Sequence, residues 1–339
     1  MTLSDVPLSN LLVQLEKLVN KSLKLWDLPK DITVELINVS ENFTYLIENS
    51  SGFKAILRVH RENYHSRRSI ECELAWIDAL SKSGLIETPS YFFGVDGSAI
   101  QKCSIDSIHG SRYLVLFHFV SGSAPDEKEN LEPFYEELGR LAGTCHNHVL
   151  SWKRPDNFER LIWDIDTIFG SNALWGNWRL APEVTKEVQD KLERVELKIR
   201  GRLLDYGKGE KRFNLIHADM RLANLLVDQD STRLIDFDDC GFGWFMYDFA
   251  SAVSFIEDSP MIPYFKSAWI KGYRSVRDLS AEDEHEIDTF IMLRRMALLA
   301  WIGSHIEAPE PQKLSSGFAE TTAKLGEIWL NSLDEKNLA

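Results

Sequence analysis

The first 120 residues combine one amphipathic helical pattern with a series of strand patterns. Apolar residues recur at helical spacing near the amino terminus, at Leu8, Leu11, Leu12, Leu15, Leu18 and Val19. Segments rich in β-branched and aromatic residues then predict strands at residues 32–39, 43–48, 53–59, 99–105 and 112–120. A second helical pattern covers residues 68–80. These patterns predict a small antiparallel sheet with helices attached to it.

The pattern becomes helical after a short linker, Ser-Gly-Ser-Ala-Pro, at residues 121–125. Apolar residues then recur with the period of a buried helix face at residues 131–148, 184–204 and 289–302. We therefore predict an α+β fold with a small N-terminal β lobe at residues 1–122. A larger, mainly α lobe is predicted at residues 123–339.

Length and charge limit the possible functions. A chain of 339 residues with 44% hydrophobic content can bury a large core and form two domains. Its formal net charge of −14 argues against nucleic-acid binding as the main function, because a phosphate backbone requires clustered Lys and Arg. The same charge permits a cationic substrate. Nothing in the sequence specifies an oligomeric state.

Hydropathy and cysteine usage favour a cytoplasmic location. No apolar run approaches the roughly 18 residues that a membrane span needs, and the first ten residues lack the pattern of a signal peptide. The cysteines are scattered without a CxxC pair, which favours a reducing compartment and no structural zinc. They are Cys72, Cys103, Cys145 and Cys240.

One stretch of the second lobe carries the pattern of a phosphoryl-transfer site. His217, Asp219 and Asn224 follow an H-x-D-x-x-x-x-N spacing, and Asp236 lies downstream. In such a site one carboxylate orients or deprotonates the attacking hydroxyl, while an amide oxygen and a second carboxylate hold magnesium. All of these groups are oxygen donors, which suits a hard cation.

A hairpin explains how these groups can converge. Residues 225–227 and 234–235 read as two short strands, and residues 228–231 provide turn chemistry between them. The hairpin would return Asp236 to the end from which Asn224 starts.

These motifs resemble the aminoglycoside phosphotransferase and choline kinase group, whose members are relatives of protein kinases. Members of that group carry a His-Gly-Asp loop ending in Asn, then Ile-Asp-Phe or Ile-Asp-Trp, then Tyr-Asp-Leu-Ala. The corresponding segments here are His217-Ala218-Asp219 to Asn224, Ile235-Asp236-Phe237 and Tyr247-Asp248-Phe249-Ala250. The resemblance covers most of the chain and implies a two-lobed, protein kinase-like fold. It also implies that the lobe at residues 1–122 binds the nucleotide, and that the lobe at residues 123–339 carries the catalytic loop and the substrate site.

The resemblance also implies roles for individual residues, with ATP and Mg²⁺ as cofactors. Asp219 corresponds to the catalytic base, and Asn224 and Asp236 to magnesium ligands. His217 and Asp248 would mostly buttress the catalytic loop.

In the first lobe, the family's phosphate-anchoring lysine corresponds to Arg58, whose guanidinium could bind phosphate oxygens bidentately. Lys54 on the same strand is the alternative. The family's partner glutamate corresponds to Glu73, with Glu71 as the competitor. Because these glutamates are two positions apart on a helix, only one can face Arg58.

Other nucleotide contacts are expected from two segments. The phosphate-covering loop corresponds to residues 40–44, which contain no glycine and offer Ser40 and Asn42. By analogy with the family, the backbone of Phe119 and Val120 would bind the adenine edge.

Three further residues near the catalytic motif leave alternatives open. Arg221 could stabilise charge on the transferring phosphoryl group or form a salt bridge with a neighbouring carboxylate. Asp238 and Asp239 follow the metal aspartate, and either could assist a second magnesium or hold a substrate hydroxyl.

Substrate recognition is expected in the second lobe. Its aromatic residues and nearby carboxylates could enclose a cationic amine, although aromatic residues in such a lobe usually form core; these are Trp163, Trp175, Trp178, Trp244, Tyr273, Asp164 and Asp166. Alternatively, Arg294 and Arg295 could bind an acidic substrate. The run Cys145-His146-Asn147-His148 suggests a structural histidine rather than a metal cluster.

The sequence predicts an enzyme that moves the γ-phosphate of ATP to a hydroxyl of a small molecule such as an aminoglycoside, homoserine, choline or a related amino alcohol. A protein Ser/Thr kinase is the enzymatic alternative. A nucleotide-binding pseudokinase that serves as a regulatory module is the non-catalytic one.

Overall fold

The computed structural model describes residues 7–39, 42–108, 110–229 and 231–338, with side chains up to residue 334. The chain divides into two compact units. The N-terminal unit runs to Gly122 and also includes Arg154–Glu159, whereas the C-terminal unit comprises Ser123–Lys153 and the residues from Arg160 onwards.

The N-terminal unit is built on a five-stranded antiparallel sheet with the order β1-β2-β3-β5-β4. The strands are β1 Thr33–Val39, β2 Asn42–Glu48, β3 Lys54–His60, β4 Ile100–Cys103 and β5 Arg112–His118. Two helices accompany the sheet, α1 Leu8–Ser22 and α2 Arg67–Ser83. Leu15, Leu18 and Val19 of α1 pack in one core cluster with apolar residues of β2, β3 and β5. The predicted small antiparallel sheet with attached helices is confirmed.

Local chemistry fixes the ends of these elements. The Asn49 side chain accepts hydrogen bonds from the N–H groups of Ser51 and Phe53, both at 3.0 Å, and so closes the β2–β3 turn. The Ser66 hydroxyl caps the start of α2 by accepting from Ser69 N–H at 2.9 Å. Gly84 ends that helix with a φ of 69°, a backbone conformation that glycine adopts without strain.

The C-terminal unit is mainly helical, as predicted. Its helices are α3 Glu132–Ser151, α4 Ile165–Phe169, α5 Lys186–Tyr206, α6 Tyr247–Ala252, α7 Ile262–Arg274, α8 Ala281–Ser304, α9 Pro309–Ser315 and α10 Phe318–Leu338. Its strands are β6 Leu161–Trp163, β7 Phe213–Ile216, β8 Leu225–Asp228, β9 Ser231–Leu234 and β10 Gly241–Trp244. β10 lies between β6, to which it is parallel, and β7, to which it is antiparallel. β8 and β9 form the predicted hairpin.

Two packing features characterise the helical unit. Helices α3 and α7 approach closely at glycines, since a Cβ added to Gly139 would lie 2.0 Å from the Trp269 carbonyl oxygen. Helix α8 is buried almost continuously between Glu286 and Ile302. Within the described ranges, no helix is both long and apolar enough to cross a membrane.

Candidate active site

The catalytic loop follows β7 directly and is held by the carboxylate of Asp248 at the start of α6. This carboxylate accepts the N–H of His217 at 3.2 Å and the N–H of Ala218 at 2.7 Å. The Ser251 hydroxyl, one turn further along α6, accepts the N–H of Met220 at 2.9 Å. Ala218 is thereby held at a φ of 66°, in the left-handed region that costs an alanine about 1 kcal/mol. Because glycine adopts a positive φ without this cost, glycine would suit position 218 better than alanine.

Asp248 is itself oriented by His146 of α3. His146 Nε2 lies 3.0 Å from Asp248 Oδ2, and its Nδ1 lies 2.9 Å from the Tyr273 hydroxyl. Complete burial lowers the pKa of His146, and the opposing effect of Asp248 does not reverse this. The neutral ring therefore donates through Nε2 to Asp248 and accepts at Nδ1 from Tyr273. His146 supports the loop and, as the sequence suggested, is a structural histidine.

His217 connects the catalytic loop to the segment that carries Asp236. Its Nε2 donates to the carbonyl oxygen of Ile235 at 3.1 Å, and its Nδ1 accepts the N–H of Asp219 at 3.3 Å. The ring also packs against Phe237, with centroids 4.6 Å apart. These contacts place His217 in the buttressing position that the family resemblance implies.

The carboxylate of Asp219 is held from both sides. Oδ2 accepts from Asn224 Nδ2 at 2.9 Å, whereas Oδ1 lies 3.1 Å from Arg294 Nη2 and 3.3 Å from Arg221 Nε. Burial by itself would raise the pKa of Asp219, but the cations of Arg221 and Arg294 outweigh burial and hold this pKa below its ordinary value. The group is therefore an oriented carboxylate at neutral pH.

Arg221 adopts one of its two predicted arrangements. Besides Asp219, its Nη1 lies 3.9 Å from the Glu310 carboxylate, and its guanidinium lies 5.6 Å from the centroid of Phe255. The structure thus shows the salt bridge to a neighbouring carboxylate. The side chain remains partly exposed.

The donors predicted to hold magnesium lie beside each other at the open end of the β8–β9 hairpin, where β8 begins and β9 ends. The carbonyl oxygen of Asn224 accepts the N–H of Ile235 at 3.0 Å, which brings Asn224 beside Asp236. Asp236 is exposed, with a φ of 63° that aspartate tolerates better than most residues. The amide nitrogen of Asn224 is engaged with Asp219, so its side-chain oxygen is the atom available to a cation.

This donor set fits magnesium better than a transition metal. It consists of one amide oxygen and one carboxylate, and Mg²⁺ is usually bound by one or two carboxylates together with substrate phosphates. Among the residues that the structure describes, no group of three or more His, Cys, Asp or Glu side chains is arranged to hold a metal.

Asp238 and Asp239 are both buried, in a segment held by its backbone. Arg160 donates to the carbonyl oxygens of Cys240 and Asp238, and the Trp163 indole donates to that of Asp239 at 2.8 Å. Asp239 also contributes to the raised pKa of Arg294: burial would lower that pKa, but Tyr247, Asp219 and Asp239 together raise it. Asp239 therefore acts electrostatically on the group that contacts Asp219.

In the N-terminal unit, Arg58 and Glu73 form a buried ion pair. Arg58 Nη1 lies 2.6 Å from Glu73 Oε1, and the guanidinium lies 5.0 Å from the centroid of Phe117. Glu71, the competing residue, instead binds Arg67 and Arg68 at 3.1 Å each. Arg58 lies on β3, the central strand, so it is not a surface cation on a sheet edge.

The other predicted nucleotide contacts lie at the ends of strands. Asn42 is buried at the start of β2, whereas Ser40 lies outside the described residues. Phe119 follows β5 and is 43% exposed, with Lys54 Nζ 5.4 Å from its ring centroid. Val120 is half-buried.

The aromatic side chains suggested for substrate binding form core. Trp163, Trp175, Trp178, Trp244 and Tyr273 are all buried. Asp164 caps α4 and binds Lys208 Nζ at 2.7 Å, so its carboxylate has a structural role.

The arginines suggested for substrate binding also have partners within the chain. Arg295 pairs with Glu257 Oε2 at 2.7 Å. The suggestion that Arg294 and Arg295 bind an acidic substrate is not supported, because both guanidinium groups are buried and paired with carboxylates of this chain.

The contact between Arg294 and Asp219 was not predicted from the sequence. A signal was present, since two adjacent arginines interrupt an apolar stretch of α8 and a buried cation needs a partner. The partner itself is 75 residues away along the chain, so spacing could not identify it.

Several known proteins resemble this chain in sequence and in fold. Residues 33–279 match the model of the phosphotransferase enzyme family. A curated relative from Bacillus subtilis (strain 168), named amicoumacin kinase, is 24% identical over 276 residues, which cover 78% of each protein.

Two solved structures resemble the whole chain. One, described as a microcompartment-associated aminopropanol kinase, is 38% identical with a TM-score of 0.86 and covers 93% of this chain and 97% of its own. The other, an amicoumacin kinase solved with AMP-PNP and Ca²⁺, is 20% identical with a TM-score of 0.73 and covers 92% of this chain and 93% of its own.

Proposed function

Because this chain belongs to the phosphotransferase enzyme family, we propose that it transfers the γ-phosphate of ATP, with magnesium, to the hydroxyl of a small amino alcohol. The observation that carries this proposal is the convergence of Asp219, Asn224 and Asp236 at one loop and hairpin.

The protein groups have distinct tasks in this proposal. Asp219 orients the acceptor hydroxyl and takes up its proton late in the transfer, because a carboxylate with a low pKa is a weak base. Asn224 and Asp236 would hold the magnesium, which would supply charge neutralisation at the phosphates. In the N-terminal unit, Arg58, held by Glu73, binds phosphate oxygens in place of the family's lysine.

The acceptor class is inferred from the relatives and from charge. The relative with 38% identity is described as an aminopropanol kinase, and the net charge of −14 is compatible with a cationic acceptor. Aminopropanol is therefore the first acceptor to test, followed by choline, homoserine and an aminoglycoside.

The two alternatives receive less support. The kinases found as relatives bear the names of small molecules, which favours a small acceptor over a protein Ser or Thr hydroxyl. A regulatory pseudokinase would not need the complete set of Asp219, Asn224 and Asp236.

The test measures ADP formation with Mg-ATP and each acceptor in turn, with a serine-containing peptide included. Wild type should turn over ATP with an amino alcohol, and Asp219→Asn should lower kcat by about 1,000-fold. Asp228→Asn is the matched control, since Asp228 lies at the far end of the same hairpin beside Arg233. Absence of ADP formation by wild type with every acceptor, or equal rates for Asp219→Asn, would overturn the proposal.

A separate measurement tests the magnesium ligands. Asp236→Ala should remove the magnesium-dependent part of nucleotide affinity in calorimetry with and without the metal. Unchanged affinity in the presence of magnesium would exclude Asp236 from the metal site.

A further inference from the structure

Helix α8 carries two adjacent buried arginines that serve different parts of the C-terminal unit. Arg294 and Arg295 are each 2% exposed. Arg295 pairs with Glu257 and also donates to the Thr322 hydroxyl at 2.9 Å. Arg294, one residue earlier, points instead to the catalytic loop.

The guanidinium of Arg294 is attached at three points. Nη2 donates to Asp219 Oδ1 at 3.1 Å, Nη1 to the carbonyl oxygen of Ala218 at 3.3 Å, and Nε to the Ser254 hydroxyl at 2.9 Å. The Ser254 hydroxyl in turn donates to the carbonyl oxygen of Ser251 at 2.8 Å. A planar fork of fixed donors that is held at three points has little freedom to rotate.

Aromatic rings complete the enclosure of this cation. The guanidinium carbon of Arg294 lies 5.0 Å from the ring centroid of Trp175 and 5.7 Å from that of Tyr247. These distances are within the range of cation–π attraction. Trp175 and Tyr247 are themselves buried, so the guanidinium lies in a rigid setting.

These contacts restrict both the carboxylate of Asp219 and the backbone that precedes it, and together these determine where the carboxylate points. Arg294 holds Oδ1, Asn224 holds Oδ2, and the Ala218 carbonyl contact fixes the backbone immediately before the aspartate. A carboxylate fixed at both oxygens keeps one orientation. In phosphoryl transfer, where positioning accounts for most of the catalysis, that orientation affects the rate directly.

We propose that Arg294 is a positioning residue for phosphoryl transfer, which holds Asp219 and the backbone of Ala218 in the orientation that meets the acceptor hydroxyl. This inference rests on the proposed phosphotransfer function. Arg294 acts through Asp219 and does not bind the acceptor, because its guanidinium is buried and its charge is matched within the chain.

The kinetic test compares Arg294→Met with Arg295→Met, using Mg-ATP and aminopropanol. Arg294→Met should lower kcat by roughly 100-fold, while the KM values for both substrates change by less than about threefold. Arg295→Met removes an equally buried arginine from the next position of α8, so it should lower Tm but keep kcat within about threefold of wild type. Arg294→Lys should recover part of the loss, since one ammonium can still reach Asp219.

A double-mutant cycle separates positioning from general destabilisation. If Arg294 acts through Asp219, Arg294→Met should cost no further activity in an Asp219→Asn background. Equal losses for Arg294→Met and Arg295→Met, or additive losses in the cycle, would overturn the proposal. If Arg294→Met does not fold, Arg294→Lys takes its place in the cycle, with an expected loss of about tenfold, and an unchanged kcat would again overturn the proposal.

Hydrogen exchange gives a readout that does not depend on activity. Arg294→Met should speed exchange of the amides at residues 217–224, whereas Arg295→Met should leave them as in wild type. If wild type phosphorylates no acceptor, the proposed function fails, and exchange still decides whether Arg294 orders the loop. If wild type is active and both exchange and kcat are insensitive to Arg294, the positioning role fails alone.

Discussion

Arg58 is a buried cation of the N-terminal unit, and the carboxylate of Glu73 balances its charge. The Glu73 side chain has 0% exposure, so removal of Arg58 leaves a carboxylate without its principal counter-charge. Breaking a buried ion pair in this way costs about 3–5 kcal/mol. Removal of Arg58 alone should therefore destabilise the N-terminal unit, because it leaves Glu73 buried and uncompensated. Arg58 is also the proposed anchor for the phosphates.

Substitutions at Arg58 test the anchor. Arg58→Ala should weaken ATP binding more than adenosine binding, because the lost contact is to phosphate oxygens. Arg58→Lys should retain activity, since lysine is the family's residue at this position. Calorimetry with ATP and with adenosine measures both effects.

Lys54 supplies the matched control on the same strand. It is partly exposed, pairs with Glu48 at 3.5 Å, and was the alternative anchor. Lys54→Ala should leave both affinities close to wild type. A larger loss of ATP affinity in Lys54→Ala than in Arg58→Ala would transfer the anchor role to Lys54.

The buried His146 predicts a pH effect on stability. Burial lowers its pKa in the folded protein below the ordinary histidine value of 6.5, so the unfolded chain takes up a proton that the folded chain does not. Proton uptake by the unfolded chain lowers the free energy of unfolding. The contribution of His146 to that free energy is therefore complete above about pH 6.5 and is lost as the pH falls from there toward the pKa of the folded protein. Over one pH unit this loss reaches about 1.4 kcal/mol at most.

His146→Gln isolates that effect. Glutamine can donate to Asp248 and accept from Tyr273 but does not titrate. Denaturant unfolding at about pH 7.5 and about pH 5.5 should show a smaller fall in the free energy of unfolding for the variant than for wild type. Equal falls would mean that His146 does not account for the dependence.

At the scale of elements, the packing of α3 on α7 depends on two glycines. A Cβ at Gly139 would meet the Trp269 carbonyl oxygen, and one at Gly272 would lie 1.7 Å from the Glu136 carbonyl oxygen. Both obstacles are backbone atoms, so neither can move without shifting a helix. Helix α3 also carries His146, which contacts Asp248. The distance between α3 and α7 therefore affects how His146 orients Asp248.

Gly139→Ala and Gly272→Ala should each lower the free energy of unfolding by at least about 2 kcal/mol, since overpacking displaces a helix. Gly201→Ala is the control: it lies on α5 with nothing within 4 Å of an added Cβ. That change should stabilise the protein by about 0.5–1 kcal/mol, because alanine favours a helix interior. Denaturant titration of the three variants measures the contrast, and similar effects at all three positions would contradict it.

Several elements were predictable because their signals are local. The helix predicted at residues 68–80 is α2, with a serine cap and a terminal glycine that mark its limits. The strands predicted at residues 43–48 and 53–59 are β2 and β3, whose shared turn is closed by Asn49. The predicted turn at residues 228–231 is shorter than expected, because Asp228 and Ser231 pair across the hairpin.

For the whole molecule, the two-unit α+β architecture matches the kinase-like phosphotransferase fold that the motifs suggested, and a structural relative at TM-score 0.86 confirms it. Asp219, a buried charge at the candidate site, is balanced within the chain by Arg294. We therefore expect that folding does not need a metal to neutralise Asp219.

This balance predicts how the protein responds to a chelator. EDTA should abolish turnover while it changes Tm by less than about 1 °C, and added magnesium should restore turnover. A structural metal would behave differently, because its removal unfolds the protein. Thermal scans and ADP assays on the same samples separate the two outcomes, and a large fall in Tm with EDTA would contradict the prediction.

The sequence by itself determined the strongly patterned elements, such as α2 and the β2–β3 pair, the order of the two parts and the spacing of the motif residues from His217 to Asp236, because periodicity, turn chemistry and short spacings are local properties of the chain. Tertiary structure decided that Glu73 rather than Glu71 pairs with Arg58 and that Arg294 contacts the carboxylate of Asp219. These contacts join residues on different elements, and only the packing of those elements determines which side chains of suitable charge come within hydrogen-bonding distance.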